Sequence, residues 1–214
     1  MYLLSINVGK ERAVSFGKKG ITGIYKLPMS TPVAITRDGL EGDDVCDTKN
    51  HGGPDQAVYV YGTTDYDWWS KELGQDLAPG TFGENLTITD LETAPLHIGD
   101  RLRVGAVLLE VTAPRAPCVV LAGRMGDPMF VKRFRQAERP GVYCRVIDSG
   151  TVSAGDPVSL EPYRGETLTV LEDFRLYYDS EADEAAIRRA LAAPIDIRGR
   201  GEYEERLAAL LAKA

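Results

Sequence analysis

Cys118 ends the run Ala113-Pro114-Arg115-Ala116-Pro117-Cys118, directly after the alternating residues 107–112. Its sulfur follows a guanidinium by three positions and precedes the apolar stretch 119–122. If the chain is helical from 119, the unpaired N–H groups of the first turn favour a negative sulfur. Cations and helix N-termini both lower a cysteine pKa, and the thiolate is the form that attacks or binds metal. A small buried hydrophobe is the other reading of this residue from local sequence.

Two glycine turns carry further chemistry. In His51-Gly52-Gly53-Pro54-Asp55 the paired glycines let backbone N–H groups approach an anion, and the histidine can donate to it or move a proton. In Phe82-Gly83-Glu84-Asn85 a carboxylate and an amide open a strand, where they can meet the edge of a heterocycle. Each turn, taken alone, also reads as a structural turn. Cys46 and His51 have no second close pair to complete a zinc set.

The elements that must position these groups are mostly short strands. Residues 1–8 alternate as a first strand, and 32–35, 57–61, 86–88, 101–104 and 107–111 follow as candidates between Gly and Asp turns. The pair around Gly105 reads as a hairpin, as does 142–147 into Val152 across Asp148-Ser149-Gly150. Residues 64–73 read as a helix with Thr64 as cap and Gly74 as stop, and Asp127-Pro128 opens a second over 129–136. The mixture predicts an α+β domain, mainly β, on a closed or strongly curved sheet over 1–162. Apolar stripes at 183–193 and 202–212, with a shorter element near 167–171, make 165–214 a small helical unit.

Bulk composition narrows the function. At 43% hydrophobic and 27% charged residues the chain is an ordinary globular one. Its net charge of −7 gives no broad support for nucleic-acid binding. The helical unit has 7 basic and 11 acidic residues, so Arg188, Arg189, Arg198 and Arg200 read as solvated faces. Three cysteines without paired spacing argue against a disulfide framework. No apolar run approaches the ~18 residues of a membrane span, so a cytoplasmic protein is expected.

Taken in order, the motifs resemble the MOSC domain, the family named for the C-terminal part of molybdenum-cofactor sulfurases, and most closely its YiiM-like branch. The resemblance rests on Thr22-Gly23-Ile24-Tyr25-Lys26, Gly39-Leu40-Glu41-Gly42-Asp43, the His51 and Phe82 turns, Ile98-Gly99-Asp100, the Arg115–Cys118 run and the segment from Gly150 to Asp156. It spans about residues 1–162, and the tail resembles the three-helix unit that follows the domain in this branch. It implies a β-barrel-like fold with peripheral helices and a bound molybdenum cofactor (molybdopterin). Cys118 would then ligate molybdenum or carry sulfur, and His51 would share the catalytic side. Lys26, Arg115, Gly52 and Gly53 would meet the cofactor phosphate, with His51, Glu84 and Asn85 along the pterin. Where many relatives place a basic residue after the histidine turn, Gln56 stands nearest.

The resemblance further implies a reductase of N-hydroxylated compounds, such as hydroxylaminopurines and amidoximes. No flavin, haem or iron–sulfur motif is visible, so electrons would come from a separate redox protein. Two alternatives stand beside it: a persulfide or cofactor carrier without turnover, and a binding module whose site has lost its chemistry. The apolar stripes of the tail must bury on the sheet domain or on another subunit, which leaves a homo-oligomer open.

Overall fold

The alternating runs pair as the sequence predicts, with one exception. The computed structural model describes residues 1–16 and 18–212. Its strands are β1 (Leu3–Gly9), β2 (Arg12–Phe16), β3 (Lys18–Thr22), β4 (Lys26–Pro28), β5 (Val33–Thr36), β6 (Gly39–Leu40), β7 (Val58–Gly62), β8 (Leu86–Ile88), β9 (Arg101–Val104), β10 (Val107–Pro114), β11 (Val142–Asp148), β12 (Gly150–Val152) and β13 (Val158–Glu161). The helices are α1 (Thr63–Leu73), α2 (Val119–Met125), α3 (Phe130–Ala137), α4 (Val170–Tyr178), α5 (Glu184–Ala192) and α6 (Ile197–Leu211).

Eight strands form one mixed sheet in the order β13-β9-β10-β11-β7-β8-β1-β4, beside small sheets β12-β5-β6 and β2-β3. Among the described residues no ladder joins the edges β13 and β4, and the sheet is strongly curved, one of the two forms expected. Its curl brings the chain before β1 back to the start of β13, where Tyr2 bridges Pro157 and the Leu3 N–H donates to the Asp156 carbonyl at 2.9 Å. The exception is the hairpin from β11. Gly105 does turn β9 into β10, but β12 pairs with β5. Both edges of β11 are already taken, by β10 and β7, so a returning strand has no ladder to join.

Period-two alternation divides β7 between two cores. Val58 and Val60 face an aliphatic cluster with Leu3, Ile6, Leu86 and Leu109. Tyr59 and Tyr61 point the other way, into an aromatic cluster with Trp69, Phe82, Phe130, Phe134 and Tyr143 beneath α1, α2 and α3. Each such side chain contributes roughly 1.5–3 kcal/mol of burial, and this double layer fixes the strand ends that carry the site.

The helical unit shares the aliphatic cluster through Leu168, Val170, Ile187, Ala190, Ile195 and Tyr203. Its three helices start on side-chain caps: Thr169 in a reciprocal capping box with Glu172, then Asp183, then Asp196. The element near 167–171 is the entry to α4, and α6 begins at Ile197, five residues before the predicted start. No helix among the described residues is long and apolar enough to cross a membrane.

Candidate functional site

β10 ends at Pro114 and α2 begins at Val119, and the turn between them displays Arg115 and Cys118 in the wall of a cavity of about 660 Å³. The cavity lies between the sheet domain and the helical unit. Its wall draws on β3 and β4, the loop carrying His51, the 115–118 turn, and residues of α4 and α6.

Cys118 is half-buried and opens into this cavity. Burial resists ionisation of its thiol, but a hydrogen bond from His51, the nearby Arg115 guanidinium and the Leu121 amide outweigh it and bring the pKa down to about 6. Arg115 is only 5% exposed. Its Nη1 donates to the Phe82 carbonyl at 2.7 Å and its guanidinium lies 4.8 Å from the centre of the Tyr59 ring, while Nε has no partner among the described residues. Gly83 allows this approach, since at φ +79° an added Cβ would press on Ile24 and on Arg115 Nη1. His51 Nδ1 lies 3.2 Å from the Tyr143 hydroxyl. Burial keeps Tyr143 a phenol; in the tautomer whose Nδ1 accepts from that hydroxyl, the His51 proton sits on Nε2.

The thiol should therefore titrate well below an ordinary cysteine. In metal-free protein the alkylation rate of Cys118 should rise through pH about 6 and level off by neutrality. Cys46 and Cys144 should lag, because burial raises both thiols, with Glu11 and Asp44 adding to the effect at Cys46 and Glu110 at Cys144. Peptide-resolved mass spectrometry across a pH series measures all three. A Cys118 midpoint at the ordinary cysteine value of about 8.5 would contradict this electrostatic picture.

The structure brings Cys118, His51, Arg115, Lys26, Gly52 and Asn85 to one cavity. Four of the residues expected to meet the cofactor lie elsewhere or are engaged by other groups. Glu84 is fully buried behind the wall, where Oε1 accepts from the Tyr66 hydroxyl, the Gly80 amide and the Thr87 hydroxyl at 2.6, 2.6 and 2.8 Å. Burial pushes its pKa up. Gly53 lies outside the cavity wall, opening the turn at Pro54–Gln56. Lys26 lines the cavity but is not a free cation, since both oxygens of Asp43 grip its ammonium. Asn85 is likewise engaged: Nδ2 donates to Asp43 at 2.9 Å and Oδ1 accepts from the Tyr59 amide at 3.1 Å.

Gly52 does reach the wall, at φ +71°, where a Cβ would lie 2.9 Å from Val45. Asp43, Tyr143 and Arg198 belong to the site and were not assigned to it from sequence. Asp43 ends one of the recognised motifs, and its spacing carries no hint of its partner. Arg198 donates to three carbonyls of the His51 loop, so the solvated-face reading fails for it. It also fails for Arg200, which donates to the Leu191 and Ala193 carbonyls at the end of α5. Arg188 does sit exposed, paired with Glu184 one turn earlier.

Among the described residues no three His, Cys, Asp or Glu side chains are placed to hold an ion by themselves. A single thiolate suits a metal that arrives with ligands of its own. The buried, unpartnered Nε of Arg115 beside it suits an anionic group on the same molecule. The donor set therefore fits a molybdenum–pterin group.

The family model described as "MOSC domain" matches residues 47–159, a span holding both His51 and Cys118. YflK of Bacillus subtilis is 37% identical over 191 residues, which are 89% of this chain and 86% of that protein. A protein of Gibberella moniliformis named Reductase is 34% identical over 167 residues, 75% of this chain but only 30% of that longer protein. The crystal structure of YiiM from Geobacillus stearothermophilus superposes with a TM-score of 0.80 at 28% identity, covering 96% of this chain and 98% of that one. Fold, site-bearing segment and near-full-length likeness agree, and the chain belongs to the MOSC domain family.

Proposed function

We propose that this chain binds a molybdenum–pterin cofactor in the cavity, with Cys118 as its ligand to the metal, and reduces N-hydroxylated compounds with electrons from a separate redox protein. The observation that carries the reading is a thiol brought down to about 6 on an open cavity, next to a buried guanidinium with an unused donor. The family and the fungal relative named Reductase support a redox role. Three free thiols and the lack of a membrane-spanning helix among the described residues are consistent with a place in the cytoplasm.

When bound, the cofactor supplies two-electron chemistry at an oxygen-accepting metal. This chain's residues do the rest. Cys118 offers a soft thiolate at neutral pH without prior deprotonation. Arg115, with its unpartnered Nε, is the wall's candidate anion donor, because the Lys26 charge is spent on Asp43. Cleaving an N–OH bond to an amine and water consumes two electrons and two protons. His51, which hydrogen-bonds the Cys118 thiol, is the chain's donor for one of them.

Elemental analysis and pterin fluorescence of protein from molybdate-fed cells test this reading before a substrate is chosen. Near one molybdenum and one pterin per chain is the expected result, with hydroxylaminopurine reduction driven by a chemically reduced viologen. A chain devoid of both would overturn it. The same cavity-facing thiolate favours one second reading, a persulfide carrier. An extra sulfur on Cys118 in metal-free protein, seen by mass spectrometry, would decide for the carrier.

A further inference from the structure

The loop from Thr48 to Gln56 carries His51 but holds itself together weakly. Its internal bonds are the His51 amide to the Asp47 carbonyl, the Asn50–Asp47 side-chain contact, and the Gln56 amide to the Gly53 carbonyl. Two consecutive glycines at φ +71° and +83° follow the histidine. Such a segment does not fix a side chain by itself.

The Tyr143 hydroxyl meets the His51 ring, Thr112 and Arg145 hold Asp55, and the carbonyls around His51 are gathered from 146 residues further along the chain. Arg198, in the first turn of α6, donates through Nη1 to the Gly52 carbonyl at 2.9 Å and through Nη2 to the Thr48 and His51 carbonyls at 3.2 and 3.4 Å. The Ile197 amide donates to Asp55 at 2.9 Å, the Asp196 amide to the Thr112 carbonyl at 3.1 Å, and Gln56 Nε2 to Asp196 at 3.3 Å. Arg145 of β11 donates in turn to the Pro194 and Ile195 carbonyls. The start of α6 is thus fastened to the sheet, and one planar fork from it gathers three carbonyls of the loop. A guanidinium does this and an ammonium cannot, because its donors lie in one rigid plane.

The geometry points to Arg198 as a positioning residue that sets where His51 stands relative to Cys118, making the C-terminal helices part of the site. The inference rests on Cys118 being the working atom of the proposed function, but it does not depend on which group that atom binds. Arg198 touches neither the sulfur nor any reacting group and acts through the loop.

The test uses full-length, metal-free protein and peptide-resolved iodoacetamide labelling at neutral pH. Arg198→Ala should slow alkylation of Cys118 by about tenfold, the lower end of what losing an outer-shell partner costs. Arg198→Lys should recover only part of it, and low concentrations of guanidinium ion should restore the alanine variant. Arg200→Ala is the control, since Arg200 secures α5 from the same helix without touching the loop. It should lower the unfolding midpoint and leave the Cys118 rate unchanged. Folded Arg198→Ala protein that labels at the wild-type rate would overturn the proposal, as would equal slowing by Arg200→Ala. Failure of the molybdenum reading would show separately, as missing metal with the labelling effect intact.

Discussion

Replacing Cys118 with alanine should bring hydroxylaminopurine reduction down to the rate of the electron donor alone, a loss of more than about a hundredfold. Loss of an outer-shell partner costs 10–100-fold in a metal site, and here the chain's own ligand is removed. Molybdenum content should fall with it, because the other two thiols cannot take over. Cys144 is buried in the aliphatic core, where its thiol is pushed up by burial. Cys46 does line the cavity, but burial and three neighbouring carboxylates raise its thiol. The fold should survive, since a half-buried cysteine cut back to alanine costs about 1 kcal/mol. Elemental analysis, the reduction assay and an unfolding curve on one preparation check all three statements. Wild-type metal content with full turnover in the alanine variant would remove Cys118 from the ligand role.

Much of this site was legible because its central groups are close in sequence. Arg115 and Cys118 share one turn, and a strand before it and a helix after it are readable from local pattern. His51 announced itself through the glycines beside it. What local pattern could not show are partners brought together by topology. Asp43 meets Lys26 across the β1–β4 edge, and Arg198 meets the His51 loop because α6 starts against β10. Glu84 shows the opposite failure. Its motif is real, but the turn before β8, with Gly83 at φ +79°, sends Glu84 inward to Tyr66 and Thr87 while its neighbours Gly83 and Asn85 reach the cavity.

The fold was legible to a similar depth. Strands with clean alternation and helices with a Gly stop or an Asp cap stand where predicted, to within a few residues. The β11 hairpin failed because a local turn signal cannot know that both edges of its strand are occupied. The start of α6 was missed because Gly199 and Gly201 interrupt the apolar stripe, although Asp196 was present as a cap. For α4 the capping box Thr169-x-x-Glu172 was in the sequence, but only a short element near 167–171 was read there.

Asp43→Ala should destabilise the protein by roughly 3–5 kcal/mol, the cost of stranding one member of a buried ion pair. The side chains of Lys26 and Asp43 are 9% and 7% exposed. Burial is the largest influence on Lys26 and pulls its pKa down, with Asp43 the main counterweight. Without that carboxylate the Lys26 ammonium faces Arg115 in a poorly solvated wall. The Gly9 amide and Asn85 Nδ2 also lose an acceptor they now reach at 2.7 and 2.9 Å. Removing the stranded charge as well, in Lys26→Met with Asp43→Ala, should recover most of the loss, because an apolar replacement for a buried pair is often neutral. Urea midpoints of the single and double variants measure this, and a single-variant cost below about 1 kcal/mol, typical of an exposed pair, would refute the buried-pair account. Metal loading of the double variant then assigns Lys26 its role. Wild-type molybdenum content would make the lysine a structural partner of Asp43. A stable double variant that fails to retain molybdenum would show that the ammonium also serves the cofactor.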